Sequence, residues 1–512
     1  MLAWRWILKN RSWIVSLTCL PICLAFALAL SSAGRSANEK LDAFNDHDVV
    51  IAGSMSEEEL IKISATLHAG RFPGVLLLDG PEAKAANADF LRRFSPRRLI
   101  SLSGIVPPLP ESQTEKELFL DGAEALARAV IPKAHTLVVC PAQPRALLLQ
   151  AACLSGEVGA PLVVLHQPLE KAEVEQRVRL YGVEKLLAVG AAIDLCEEIK
   201  DVKVTPLADA DAVHAAHVAS LSENGPVKSV VVCNPADAER GLGRVSLLAP
   251  WIALQHHAPL LCTNAVGDDV ESIVEAARHE AALQDVENVI LAATLKAVPT
   301  LHRPNPVPGK DAEIEMEPFT PGDSAPFTFA LGRVFHEDLG IVALLQSRQR
   351  LLDWSPTREH TALIVSNPGG GLALLESFSR NTAMELRNGG YATTARFDDQ
   401  VNRDEIRRLL PEQDIFLWEG HYRTMVDQFE LPRWTEPLRP ALIFLQSCLA
   451  LNEAEAKLFL QRGAIAVIGS STRTYSGSGG AFTLAFFDAM MYEQQTLGGA
   501  LRQSKNFLLA YS

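Results

Sequence analysis

Between residues 38 and 294, short runs of Val, Leu and Ile alternate with longer stretches whose apolar residues recur every three or four positions. A run that is apolar at every position suits a strand covered on both faces, and the period of the intervening stretches suits amphipathic helices. The runs fall into three sets: Asp48 to Gly53, Gly74 to Asp79 and Arg98 to Gly104; then Thr136 to Cys140, Ala160 to Leu165 and Lys185 to Gly190; then Ser229 to Cys233, Ala258 to Cys262 and Asn288 to Ala292. The middle runs recur at Val75, Leu162 and Leu260, a period of roughly ninety residues that marks three copies of one unit. Each copy is expected to be a βαβ-type unit with a parallel sheet under helices, giving an α/β fold class.

Residues 295 to 325 interrupt the pattern. Pro299, Pro304, Pro306, Pro308, Pro318 and Pro321, with an acidic stretch from Asp311 to Glu317, predict an exposed linker and a domain boundary. From 326 to 512 the alternation resumes. Phe327 to Gly332 reads as a strand, and Asp338 to Leu352 as a helix with Leu339, Val342, Leu345 and Leu352 on one stripe. The strand Thr361 to Ser366 runs into a tight glycine turn, Asn367 to Gly371, then a helix from Leu372 to Leu386 that stops at Asn388, Gly389 and Gly390. Asn402 caps a further helix through Leu410. Two more apolar runs follow, Asp414 to His421 and Pro440 to Cys448, and the whole predicts a parallel α/β sandwich.

The ends of these two runs turn architecture into chemistry. Parallel sheets place their sites at the carboxyl ends of strands, and here one end carries His421 and the other Cys448. A thiol becomes a strong nucleophile when an imidazole within reach takes or pairs its proton, so the two residues can form a cysteine-hydrolase dyad. An inert core thiol and a solvated loop histidine are the plainer interpretation. A third residue that would orient the imidazole is not fixed by the sequence: Glu419 is close along the chain, and Asp398 and Asp399 depend on the fold.

These residues resemble the gingipain-type and caspase-like cysteine peptidases of clan CD, in which one strand ends in His-Gly and a later one in a small residue and Cys. The likeness continues through Gly463 to Tyr475, similar to that family's next strand and substrate-side loop, and through Thr496 to Lys505, similar to its late helix; Phe327 to Arg333 looks like its first strand. The resemblance implies a caspase-like sandwich over 326–512 that hydrolyses peptide bonds through an acyl-enzyme, with no cofactor. It also implies an oxyanion site from the backbone N–H groups of Tyr422 and Cys448, and a substrate-side loop contributing Thr472, Arg473, Tyr475 and Ser476. One departure stands out: Tyr422 follows the histidine where the family has Gly. Tyr422 can still donate its N–H, unless the position demands a conformation open only to Gly. The three units before it loosely resemble the cell-wall-binding repeats of bacterial surface proteins. Envelope binding and plain scaffolding both stand as roles for them, and a non-catalytic envelope protein stands as the alternative to the peptidase.

Charge and composition narrow the partners. A net charge of −14 over 512 residues argues against nucleic-acid binding. Protein or peptide substrate is expected, with the cell envelope as a further partner. Arg5, Lys9 and Arg11 precede an apolar run from Trp13 to Leu30 and a small-residue site ending at Ala33. That order predicts a signal peptide over residues 1–33, with an uncleaved signal-anchor as the alternative, and hence a secreted or envelope protein. Of eight Cys, six lie beyond that segment, and none forms a CxxC or zinc spacing. His279 and Glu280 do not begin an HExxH motif, because Leu283 stands where its second His belongs. No catalytic metal is expected.

Overall fold

Three consecutive stretches fold into the same four-stranded parallel sheet, with strand order second-first-third-fourth. The computed structural model describes residues 44–53, 55–102, 116–166, 171–263, 279, 286–304, 313–318, 326–353, 358–434, 436–451 and 453–511. The expected signal segment lies outside them. Unit one comprises β1 (Asp48–Ala52), α1 (Glu57–Ala69), β2 (Val75–Leu78), α2 (Ala83–Phe94), β3 (Arg98–Leu102) and β4 (Lys116–Leu120). Unit two comprises α3 (Gly122–Val130), β5 (Thr136–Pro141), α4 (Arg145–Glu157), β6 (Leu162–Leu165), α5 (Lys171–Tyr181), β7 (Lys185–Val189), α6 (Ile193–Glu197) and β8 (Lys203–Leu207). Unit three comprises α7 (Ala210–Asn224), β9 (Ser229–Cys233), α8 (Ala249–Gln255), β10 (Leu260–Cys262), β11 (Asn288–Ala292), the antiparallel pair β12 (Leu301–Pro304) and β13 (Glu313–Met316), and β14 (Ala330–Val334).

Strands β1, β2, β3 and β9 are buried at every position, as continuous apolar runs require. The fourth strand of each unit escapes that pattern and is only partly covered, whereas β2, at the opposite edge of its sheet, is buried throughout. Phe119 on β4 is 56% exposed, and β8 carries Pro206, which an edge strand tolerates.

The third fourth-strand corrects the expected boundary. β14 pairs with β11, Asn288 opposite Ala330 through Ala292 opposite Val334, so the stretch from Phe327 to Gly332 closes the third sheet instead of opening the last domain. Arg333 fixes the closure: its Nη1 donates to the carbonyls of Ala293, Thr294 and Val298 at 2.9–3.1 Å, and its Nη2 meets Glu317 at 2.7 Å. The Pro-rich stretch is thus an insertion between the third and fourth strands of one unit, not a linker between domains. The prolines do not exclude regular structure there, since Pro304 ends β12 opposite Glu313 of β13, and the chain on both sides belongs to one sheet.

After β14 come α9 (Leu339–Asp353), β15 (Thr361–Ser366), α10 (Ala373–Asn388), β16 (Ala392–Phe397), α11 (Arg403–Leu409), β17 (Ile415–Glu419), β18 (Ala441–Gln446), α12 (Glu453–Arg462), β19 (Ala464–Gly469), α13 (Ser476–Met491) and α14 (Leu497–Tyr511). The five strands form one parallel sheet in the order β16-β15-β17-β18-β19. One face carries Trp418, Phe416, Ile443 and Leu445, and the other Leu417, Phe444, Phe486 and Phe487. Helix α9 joins this sheet to the first unit. Its Leu344 enters the core of Val49, Ile51, Val75 and Phe90, while Arg348 reaches the other way to the carbonyls of Ala464 at 2.9 Å, Gln461 at 3.3 Å and Leu460. Asp338, just before α9, accepts from the N–H groups of Glu82 and Ala83 at 2.7 and 3.1 Å and so caps α2.

The helices that follow the first strand of each unit, α1, α4 and α8, pack together. Gly156 marks their closest approach: a Cβ there would stand 2.6 Å from Leu254 and 3.3 Å from the Cβ of His68. Beside this junction His68, His214, His217 and His257 gather, and burial pushes His217 down to about 3, with the other three histidines adding to the depression. A buried neutral histidine resists the proton that the unfolded chain accepts. Its contribution is whole above pH 6.5 and is lost as pH falls from 6.5 toward 3. Urea unfolding at pH 7 and pH 4 should therefore show a smaller acid loss of stability in His217→Leu than in the parent, by roughly 2–3 kcal/mol. Equal losses would contradict this account of the junction.

Candidate active site

β17 and β18 lie side by side and are buried along their whole length. Their register sets Glu419 opposite Gln446, and each strand runs two residues further to its chemical group, His421 on one and Cys448 on the other. Adjacent strands are about 4.8 Å apart, so the sheet brings both groups to one rim. His421 is exposed and Cys448 half-buried. The N–H of Gly420 bonds the Gln446 carbonyl at 3.3 Å, continuing the ladder to the rim, and the His421 carbonyl accepts from Met425 at 3.1 Å, starting a helical turn.

Cys448 is held by the next loop. Its Sγ accepts from the N–H of Thr474 at 3.3 Å and lies 3.5 Å from that residue's carbonyl. No hydrogen bond joins His421 to the sulfur among the described residues. In unliganded sites such bonds are often long and tighten with substrate.

Leu449, directly after the cysteine, has φ of 57°. A branched residue in the left-handed region is strained by about 1 kcal/mol or more, and such strain gathers where backbone direction matters. The conformation is held by two bonds between loops: Leu449 N–H to the Thr472 carbonyl and Leu451 N–H to the Ser470 carbonyl, both 3.0 Å. Thr472 thus braces the loop that carries Cys448, and Thr474 touches the sulfur. Arg473 and Tyr475 on the same loop are exposed, and Ser476 begins α13. Thr474 was not anticipated; nothing in its residue type marks it, and only the inter-loop bonds place it at the sulfur.

Tyr422 does not adopt a positive φ, so the position does not need Gly and its N–H faces no conformational bar. Its hydroxyl donates to Glu455 at 2.6 Å and its ring packs on the core below, which anchors the loop after His421. Asp398 and Asp399 follow β16, two strands from β17, and Asp398 lies against the glycine turn at Gly370. Gly369, Gly370 and Gly371 all have φ between 78° and 86°, which explains three glycines in a row.

Below the rim the sheet turns polar on its α10 and α13 face. Ser366, Glu419 and Gln446 stand in register on β15, β17 and β18. Glu419 is fully buried, and burial raises its carboxyl to about 7, with its contacts to the Ser379 and Thr483 hydroxyls opposing the rise. It makes no bond to His421 among the described residues.

A cleft of about 1760 Å³ borders the rim at Leu449 and at Thr472 to Tyr475, and runs past the open edge of β19 to β14. It includes neither Cys448 nor His421. Among the described residues no group of three or more His, Cys, Asp or Glu is arranged to hold a metal ion, and no helix is long and apolar enough to cross a membrane. The other cysteines among the described residues are free: burial raises the thiols of Cys140, Cys153 and Cys196, and Cys233 is raised first by its contact with Cys262, 3.9 Å away.

No protein family matches this chain, and no curated protein does. Among solved structures the chain is similar to Cwp6 from Clostridium difficile, at 13% identity and a TM-score of 0.35, over 91% of this chain and 75% of that one.

Proposed function

We propose that the chain is an exported cysteine endopeptidase in which His421 and Cys448 are the catalytic residues. The observation that carries this reading is the register of β17 and β18, which delivers an imidazole and a thiol to the same rim of one parallel sheet. The Cys448 thiolate attacks the peptide carbonyl, and the tetrahedral oxyanion is met by backbone N–H groups, for which those of Cys448 and Tyr422 are the candidates. The His421 imidazolium gives its proton to the leaving amine, and a thioester forms on Sγ. His421 then takes a proton from water, the resulting hydroxide equivalent attacks the thioester, and the thiolate is released with the carboxylic product. The loop from Thr472 to Ser476 would flank the substrate.

A second reading is a non-catalytic envelope-binding protein with a peptidase-like last sheet. It draws on the sulfur being engaged by Thr474 and not by the imidazole. Incubation with denatured protein, followed by detection of new amino termini, separates the two. The peptidase reading expects fragments from the parent chain and none from Cys448→Ala. Equal fragment yields would remove it, and cell-wall pull-down unaffected by Cys448→Ala or His421→Ala would favour the binder.

A further inference from the structure

Three contacts converge on the hydroxyl of Ser379 in α10: the Leu375 carbonyl at 3.0 Å, the Ser366 hydroxyl at 2.6 Å and the Glu419 carboxyl Oε2. A hydroxyl owns one hydrogen. That one hydrogen serves three acceptors at once, so Glu419 receives at most part of it. Thr483 in α13 divides its hydrogen in the same way: its hydroxyl donates to the Gly479 carbonyl at 3.1 Å and also meets Glu419. An ionised Glu419 would therefore be weakly compensated, and no cationic side chain faces it among the described residues. Its second oxygen, Oε1, is buried without a partner, a far smaller cost for a neutral acid than for a carboxylate.

We infer that Glu419 is a positioning residue of the rim: as a neutral carboxylic acid it donates to the hydroxyls of α10 and α13 and so holds the end of β17, and with it His421, beside the strand that carries Cys448. The inference rests on the reading of His421 and Cys448 as a dyad. Burial independently favours the protonated form, raising the group to about 7. The side chains facing it are uncharged: Ser366 from β15, Ser379 from α10, Thr483 from α13 and Gln446 from β18. The charged groups on the helices packed there are occupied or lie further along. Glu376 and Arg380 of α10 pair with each other at 2.5 Å, and Glu385 and Asp488 come later on α10 and α13. As pH rises through neutrality Glu419 loses its proton, the bonds it donated are lost, a poorly compensated charge is left in the core, and the end of β17 loosens.

Two readouts on the full chain test this. The infrared spectrum at pH 6 should contain the carbonyl stretch of a buried carboxylic acid that disappears in Glu419→Gln; its absence from the parent overturns the neutral state of Glu419. The rate at which iodoacetamide alkylates Cys448, followed from pH 5.5 to 8.5, should bend downward near pH 7 in the parent relative to Glu419→Gln. Glu419→Leu should slow alkylation about tenfold, with Gln recovering most of the loss because it restores a donor. Superposable profiles for the parent and Glu419→Gln overturn the positioning role while leaving the dyad intact. Failure of the dyad itself shows elsewhere, as an alkylation rate unchanged in His421→Ala, and the infrared band still reports on Glu419 in that case.

Discussion

His421→Ala is expected to lower peptide turnover by about 10²–10⁴-fold, the usual worth of a positioned general acid and base, while leaving thermal unfolding within about 1 °C of the parent. The two halves of that expectation have separate causes. The imidazole is exposed and packs on no core cluster, so truncation removes no buried area and leaves no buried polar group unpaired. The proposed chemistry needs it twice, to protonate the leaving amine and to activate water. A single-turnover assay separates these roles: acylation should slow through loss of the acid, and thioester hydrolysis through loss of the base. A variant with parental turnover would show that the rim does not work as a dyad.

The second large effect is structural. Arg348 is 4% exposed, and burial lowers its guanidinium to about 9, which still leaves it charged at neutral pH. It supplies donors to the carbonyls of Leu460, Gln461 and Ala464, where α12 ends and β19 begins, from a helix seated on the first unit. Arg348→Ala leaves those carbonyls without that donor and opens a cavity. Each buried unsatisfied group costs about 1–3 kcal/mol, so a loss of roughly 3–5 kcal/mol is expected. Relief of the guanidinium's desolvation cost offsets part of this, but cannot supply the missing donors. Against a total stability of about 5–15 kcal/mol that is a major fraction. Arg348→Lys should recover a minority of the loss, because an ammonium cannot span three carbonyls as a planar fork can. The check is the urea midpoint at constant slope; a shift worth less than about 1 kcal/mol would mean that the contacts are dispensable.

The parts of this molecule that could be foreseen are those whose physics is local. A strand covered on both faces must be apolar throughout, so β1, β2, β5, β6, β9, β17 and β18 show in the bare chain. His421 and Cys448 could be paired because a parallel sheet puts strand ends on one rim, whatever the loop between them. The fourth strands give no such signal: β4 and β8 are mixed in polarity and partly exposed. β14 is legible as a strand but its sheet is not, because a Pro-rich stretch does not reveal which sheet the chain rejoins after it. The roles of Arg348 and Asp338 were hidden for a related reason. Each acts across more than a hundred positions of chain, and a charged residue on an amphipathic helix usually faces solvent. Glu419 was weighed only as a neighbour of His421; strand alternation turned it instead toward α10 and α13, where the relevant partners, Ser379 and Thr483, carry no marker of their own.

The thiol itself offers the most direct measurement. Cys140, Cys153, Cys196 and Cys233 are buried, while Cys262 and Cys448 are half-buried, so a peptide carrying an electrophile at its scissile position can be scored by mass spectrometry across all six in one native sample. The account predicts modification concentrated on Cys448, outpacing Cys262 by a wide margin and falling sharply in His421→Ala. Modification of Cys262 and Cys448 at equal rates, indifferent to His421, would mean that the rim holds an ordinary cysteine and that the proteolytic assignment is wrong.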